Sequence, residues 1–369
     1  MKLTVDREAL SQAFQVASTV VPTRSTIPVL QNIKLTARKE DGAGVIDVVG
    51  TDLEVGVRLT VPAVEIAKEG IAVLPASRLG GLLRESADKT VAIETDGHLA
   101  EVRFSDSRYK IQGVDPQDFQ DLAAFNAKGA VQVETAELSE MIRKTIFAVS
   151  AEITRYALTG LLFEVRDKEL RLVASDGKRL AYVKRKAAGG GKELKVIVPP
   201  KAMTLLEKIL TPDDPKVALN VEENQIRFRT SKGMIFSRLI EGNFPDYEAV
   251  IPAGGDKKIA LPREELASAL RRTVLLMTDK SRAVKLTFAK GKVVCYTRTQ
   301  DVGEAKVEIP IEGPKEELEI IFNPDYLLDV LRVTEGETIE LTLKDRNTAG
   351  VFRSGKDYLY LVMPLTISM

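Results

Sequence analysis

The sequence predicts an α+β protein built from three similar units, each with two helices packed on antiparallel sheet. Three observations carry that reading. One helical segment recurs every 128 residues, a second recurs every 124, and the stretches between them alternate apolar and polar residues between turn signals.

Leu10, Leu138 and Leu266 open the first set of helices. Phe14, Ile142 and Leu270 follow four positions on, then Ser18, Ile146 and Val274, offsets that keep to one face of an α-helix. In the middle copy Leu138, Met141, Ile142, Thr145, Ile146 and Val149 form an apolar stripe that requires a packing partner. Arg143 and Lys144 are expected to face away from that stripe. Arg271 and Arg272 hold the same places in the third copy, and Gln15 and Val16 hold them in the first.

The second set is expected over 75–83, 199–207 and 323–331, with Leu79, Met203 and Leu327 at equivalent places. A proline stands at or before each first turn, where its missing N–H would have had no partner. Strands are expected at 33–36, 170–173 and 217–221, bounded by turns at Asp41-Gly42, Asp96-Gly97 and Ser231-Lys232-Gly233.

Small and polar residues at Lys128-Gly129 and Ala253-Gly254-Gly255 mark boundaries, giving units at 1–128, 129–254 and 255–369. Residues 187–192, with three consecutive glycines, read as a flexible loop within the second unit. Three such units stack linearly or close into a ring. Periodicity does not choose between these, although a ring removes exposed sheet edges.

Lys plus Arg and Asp plus Glu each total 53, so the formal net charge is zero. That balance argues against a strongly basic nucleic-acid binder, and any contact with DNA must come from an uneven distribution of charge. The lone Cys295 cannot form an internal disulfide, and no apolar run is long enough for a membrane span or secretory signal. A reducing cytoplasm is therefore expected. One cysteine and one histidine leave little for a metal cage or a histidine-based triad, so no metal or cofactor is expected.

The strongest enzymatic alternative is a metal-dependent nuclease or phosphoryl-transfer protein using Asp52, Glu54 and Asp176. Thr51-Asp52-Leu53-Glu54 and Ser175-Asp176-Gly177 fall in comparable places of two repeats, however, which points to a shared turn in which the acids bind nearby backbone. His98, after Asp96-Gly97, reads as a hairpin residue, and no phosphate-cradling GxxxxGK[ST] string occurs. A scaffold that never meets nucleic acid is a further alternative.

Several strings, in order along nearly the whole chain, resemble those of the bacterial sliding clamps, the beta subunits of the replicative DNA polymerase. They include Met1-Lys2-Leu3-Thr4-Val5, Arg24 before Thr26-Ile27-Pro28-Val29-Leu30, and Gly50-Thr51-Asp52-Leu53-Glu54. Ala174-Ser175-Asp176-Gly177-Lys178-Arg179-Leu180-Ala181, Gly242-Asn243-Phe244-Pro245-Asp246-Tyr247, Tyr326-Leu327-Leu328-Asp329-Val330-Leu331 and Val362-Met363-Pro364-Leu365 follow.

The resemblance implies a non-catalytic processivity factor: three DNA-clamp domains per subunit and a head-to-tail homodimer forming a six-domain ring around double-stranded DNA, without sequence preference. It implies as partners the polymerase catalytic subunit, a clamp loader, and other replication and repair proteins, and no membrane. Arg24 matches a family residue that touches the duplex, and Arg143, Lys144, Tyr156, Lys201, Arg271 and Arg272 are expected beside it. A pocket for partner peptides would combine Arg155, Leu158, Ser175, Gly177, Lys178, Arg179 and Leu180 with Pro245, Val250, Val362, Met363, Pro364 and Leu365. At the subunit interface Leu275 and Leu276 would oppose Tyr109 and Ile111 of the second copy, with Arg78 and Arg108 facing acids near Asp301 and Glu304. The chain departs from the family pattern where Ala157 follows Tyr156, at Pro200 and Ala249 where basic residues are common, at Lys178 in place of histidine, and in running on from Thr366 to Met369.

Overall fold

A computed structural model describes residues 1–189, 193–252, 257–278, 282–300, 302–312, 314 and 317–366. Six α-helices stand among them: α1 (Arg7–Ser18), α2 (Ala76–Glu85), α3 (Thr135–Thr145), α4 (Pro200–Ile209), α5 (Arg263–Val274) and α6 (Pro324–Val333). The odd-numbered helices begin 128 residues apart and the even-numbered ones 124 apart, so both predicted repeats hold. Local chemistry fixes the starts. Asp6 accepts from Ala9 N at 2.8 Å to cap α1, and Asn323 accepts from Asp325 N at 2.9 Å to cap α6, where Pro324 opens the first turn.

Backbone contacts divide the chain into two units. The first takes Met1–Ala136, Ala188–Gly191 and Lys201–Leu239, and the second takes Glu137–Ala187, Lys192–Pro200 and Ile240–Met369. The middle repeat thus contributes to both.

In the first unit a 13-stranded sheet carries the strand Gly233–Arg238 of the middle repeat antiparallel against Val55–Lys68 of the first, with Ile235 opposite Val57. Helix α1 packs on α2 and on the strands Ala43–Thr51 and Val55–Lys68. That approach is close enough that a Cβ on Gly50 would lie 2.7 Å from the Ala17 carbonyl. The predicted strand at 33–36 lies within Asn32–Glu40 and that at 217–221 within Lys216–Glu222. Part of the expected 187–192 loop is ordered instead. Ala188–Gly189 pairs antiparallel with Val131 and Gln132, so those peptides take ladder partners, while 190–192 lie outside the described residues. The expected boundary at Ala253-Gly254-Gly255 lies outside them too.

In the second unit an eight-stranded sheet joins Arg179–Lys186 of the middle repeat to Tyr358–Val362 of the third, with Leu180 opposite Leu361. Its two faces separate by strand alternation. Phe163, Leu172, Val183 and Tyr358 form one fully buried row, and Tyr360 on the same side donates to the Tyr326 carbonyl of α6 at 3.0 Å. Leu162, Val173, Tyr182 and Leu359 form the matching row on the other side. A four-stranded sheet, ordered Gly303–Pro310, Lys292–Thr299, Val284–Ala289, Leu318–Phe322, completes the unit. Helix α5 packs on α6 and on the first two of these strands.

Candidate functional site

The face of the eight-stranded sheet that carries Leu162 and Val173 holds Leu158 and Leu180 of the expected peptide-pocket residues, whereas Arg179 and Val362 point to the opposite face. Leu158, at the end of the 3₁₀ turn Ile153–Leu158, and Leu180 lie in one apolar cluster with Leu162, Val173, Ile197, Phe244, Tyr247, Val351, Leu359 and Leu361. The segment between the second and third repeats crosses this face, sinking Phe244 and Tyr247 into the cluster and packing Ile251 against it. Pro245 and Val250 of that segment stay exposed, Val250 at 55%. Exposed apolar groups beside a buried apolar floor are what a leucine or aromatic side chain of a peptide requires.

The carboxyl-terminal strip is tied down. Val362 is buried opposite Arg179, Met363 N donates to the Lys178 carbonyl at 2.8 Å, and Leu365 N donates to the Ile321 carbonyl at 2.8 Å. These bonds hold Met363, 45% exposed, at the end of the Arg179–Lys186 strand. Pro364 and Leu365 are half-buried.

Ser175 to Arg179 is a tight turn. Asp176 Oδ1 accepts from Lys178 N at 2.9 Å and Arg179 N at 3.0 Å, while Ser175 Oγ donates to the Arg179 carbonyl at 2.8 Å. Gly177 supplies the positive φ of 85°, and Arg155 Nη1 donates to the Asp176 carbonyl at 2.9 Å across it. Arg179 turns inward. Its guanidinium meets Asp176 at 3.0 Å, Asp329 at 2.6 Å and the Phe147 carbonyl at 2.7 Å, and lies 4.4 Å from the Tyr326 ring. Burial works against its charge, but Tyr360, Asp329 and Asp176 outweigh it and hold the group ionised. Among the pocket residues Arg179 therefore supports the turn, and Lys178 and Arg155 are the exposed cations of the rim among the described residues.

The same turn recurs at Thr51 to Val55. Asp52 Oδ1 accepts from Glu54 N and Val55 N at 2.9 and 2.7 Å, Thr51 Oγ1 donates to the Val55 carbonyl at 3.1 Å, and Leu53 stands at φ 75° where the other copy has Gly177. Each aspartate uses Oδ1 on its own backbone, as the sequence pattern predicts, and Oδ2 on a cation, Arg179 for Asp176 and Lys201 for Asp52.

Of the residues expected to meet DNA, Arg24, Tyr156, Arg271 and Arg272 are exposed, Tyr156 at 56%. Arg24 and Arg271 have no charged partner among the described residues. Arg143 is exposed but bonds Glu335 Oε1 at 2.8 Å, and Lys201 bonds Asp52 Oδ2 at 2.5 Å. Lys144 corrects the expectation. It is 5% exposed, paired with Glu140 one helical turn back and 5.3 Å from the Tyr358 ring, so its charge faces the sheet and not solvent.

The expected interface residues sit at two strand edges. Arg108–Gln112 ends the first unit's sheet, and Gly303–Pro310 ends the four-stranded sheet of the second. Tyr109 is 40% exposed and meets Phe104 edge-on, but Ile111 is 8% exposed. It lies buried on the strand opposite Ala100, so of the two Tyr109 offers the apolar surface. Arg108, paired with Glu101, and Arg78 on α2 are exposed. Leu275, just past α5, is 77% exposed, Leu276 is half-buried, and Glu304 accepts from the Tyr296 hydroxyl at 3.1 Å. Asp301 lies outside the described residues.

Sequence reasoning passed over Phe244, Tyr247, Glu164 and Arg171. The string Asn243-Phe244-Pro245-Asp246-Tyr247 was legible, but only the fold shows that its aromatic residues join the cluster of Leu158 and Leu180 while Pro245 stays outside.

Three family models tile the chain: DNA polymerase III beta subunit, N-terminal domain, over residues 1–123, central domain over 132–246, and C-terminal domain over 248–366. The beta sliding clamp of Pseudomonas putida KT2440 is 33% identical over 371 residues, covering 100% of both chains. Among solved structures, the sliding clamp from Pseudomonas aeruginosa bound to griselimycin superposes with a TM-score of 0.93 at 32% identity, covering 100% of each chain. The DNA polymerase sliding clamp from Bacillus subtilis does so with a TM-score of 0.93 at 28% identity and the same coverage.

Proposed function

The chain belongs to the family of DNA polymerase III beta subunits, the bacterial sliding clamps, and from that premise we propose that two copies close head to tail into a six-domain ring that slides on duplex DNA. It is a non-catalytic processivity factor of the polymerase. The observation that carries the ring is the pair of strand edges, Arg108–Gln112 in one unit and Gly303–Pro310 in the other. Two different edges of one chain make a heterologous contact, which closes when the rotation returns to its start. Tyr109 and Leu275 give that contact exposed apolar surface, with Arg78, Arg108 and Glu304 as charged neighbours.

Arg24, Tyr156, Arg271 and Arg272 are the proposed DNA contacts, with Arg143 and Lys201 available once their acidic partners are displaced. Contacts to phosphates alone position without reading sequence, and their weakness permits sliding. Leu158, Leu180, Pro245, Val250, Met363 and Leu365 form the proposed peptide pocket, which tethers the polymerase catalytic subunit, the clamp loader and other replication and repair proteins. Domain limits of 1–128, 129–254 and 255–369, and a cytoplasmic location, complete the reading.

The test is retention on nicked circular DNA after loading by an ATP-driven clamp loader. The protein is expected to stay bound to circles and leave within seconds of linearisation. Equal loss from circles and linear DNA refutes the ring.

A further inference from the structure

We infer that Glu164 and Arg171, through Tyr247 and Glu248, are positioning residues that hold the Pro245–Val250 wall of the peptide pocket in its binding conformation; the inference rests on the reading of that pocket given above. Glu164 and Arg171 face each other across adjacent strands on the same face of the sheet as the pocket's floor, with Lys184 next in the row. The buried cluster on that face is apolar and aromatic, yet Glu164 and Arg171 beside it are each only 8% exposed. Charges buried this deeply need specific partners.

They find them on the crossing segment. The Tyr247 hydroxyl donates to Glu164 Oε2 at 2.5 Å, and Arg171 Nη1 donates to Glu248 Oε1 at 3.1 Å while lying 3.6 Å from Glu164. Arg166 Nη2 donates to the same Glu248 oxygen at 3.1 Å. On the far side Glu169 accepts from Arg171 at 3.3 Å and from Lys184 at 2.9 Å. The Tyr247 ring stacks on Tyr182 at 5.8 Å. Burial, and then the Glu164 carboxylate, push the Tyr247 hydroxyl well above the ordinary phenol range, so it stays a donor.

Besides the apolar packing of Phe244, Tyr247 and Ile251, these are the segment's long-range side-chain anchors. Between Asp246 and Val250 the side-chain bonds to backbone are local, Asp246 Oδ1 accepting from Glu248 N at 3.1 Å and Ala249 N at 3.4 Å. Pro245 and Val250, which present the wall, flank the anchored Tyr247 and Glu248. Loosening the anchors leaves the pocket's chemistry intact but lowers the fraction of molecules in which the wall is in place. Apparent affinity falls by that fraction.

The experiment compares the full-length protein with Tyr247→Phe, the double variant Glu164→Gln/Arg171→Met, and the pocket variant Met363→Asp. The probe is a fluorescein-labelled decapeptide carrying one leucine and one phenylalanine, selected for binding to the parent protein. Tyr247→Phe is expected to weaken binding about 5- to 20-fold through a slower on-rate with little change in off-rate. Amide exchange at residues 247–251 is expected to accelerate at least tenfold, with exchange at Leu341 unchanged. The double variant is expected to match or exceed both effects. Peptide affinity within twofold of the parent, or acceleration at Leu341 equal to that at 247–251, overturns the inference while Met363→Asp still abolishes binding. If Met363→Asp binds like the parent, the pocket reading itself fails and the inference with it.

Discussion

Arg179 Nη1 donates to Asp329 Oδ2 at 2.6 Å, tying the strand Arg179–Lys186 of the middle repeat to helix α6 of the third. Its Nε donates to Asp176 Oδ2 and its Nη2 to the Phe147 carbonyl, so one guanidinium fixes a turn, a helix and a further helical segment. Arg179→Ala leaves Asp176 and Asp329 without the guanidinium they share in a partly buried site. It is expected to lower the unit's stability by about 2–4 kcal/mol. In a double-mutant cycle with Asp329→Asn, a coupling energy of about 1–3 kcal/mol is expected from denaturant titrations, and a coupling near zero contradicts the assignment.

Met363 and Leu158 separate the pocket's surface from its floor. Met363 is 45% exposed at a strand end, whereas Leu158 is 9% exposed within the cluster. Met363→Ala is expected to weaken peptide binding several-fold with stability kept within about 0.5 kcal/mol. Leu158→Ala is expected to lose both binding and about 2–4 kcal/mol of stability, because truncation opens a cavity under the ligand. Titration calorimetry beside thermal unfolding reads the two effects separately.

Salt dependence distinguishes exposed cations from buried ones. Removing one cation that neutralises a phosphate reduces the slope of log K against log salt by about 0.9 for duplex DNA. Arg271→Ala and Arg272→Ala are expected to flatten the slope for ring binding to short duplex, and Arg24→Ala likewise. Lys144→Met is expected to leave the slope unchanged, because that ammonium faces Glu140 and the Tyr358 ring. Its cost appears instead as lower thermal stability.

The repeats were legible because the two helix sets restart at constant spacing and each buries one stripe. Lys144 was not legible for a related reason. It follows the outward-facing Arg143 by about 100° of helical turn, and which side of the stripe that step falls on depends on Arg185 and Tyr358, both far away in sequence. Arg185 bonds Glu140 Oε2 at 2.8 Å, which completes a half-buried charge cluster that draws Lys144 in. In the third copy Arg271 and Arg272 both stay outside. Strand pairing between repeats was hidden as well. Nothing local tells Gly233–Arg238 to pair with Val55–Lys68, or Arg179–Lys186 with Tyr358–Val362; those pairings join residues far apart in sequence.

Acid sensitivity follows from the carboxylates in these clusters. The hydrogen bond from Lys184, together with Arg171, holds Glu169 below the usual carboxylate range. At Glu140 burial pushes the other way, but Lys144 and Arg185 prevail and its pKa is also lowered. A carboxyl with a depressed folded pKa gives stability that is present above its unfolded value, about 4.3 for Glu, and lost as pH falls through the folded value. Thermal unfolding temperature is therefore expected to be nearly flat from about pH 7 to 5 and to drop below about pH 4, and less steeply in Glu169→Gln. An equal drop in that variant removes Glu169 from the account.

Cys295 offers a reporter of opening in the third repeat. It lies fully buried on the strand Lys292–Thr299, opposite Leu286, and burial pushes its thiol up to about 12. The thiolate is the reactive form, so at about pH 8 the side chain lacks both the charge and the access that a disulfide reagent needs. Modification is expected only through opening of the four-stranded sheet, at a rate that rises with denaturant in step with unfolding of that unit. Met363→Ala, which leaves the sheet's interior untouched, is expected to keep the parent rate, while Leu286→Ala accelerates it by cavity formation beside the thiol. Stoichiometric labelling of the native protein within minutes contradicts the placement of Cys295 in the core.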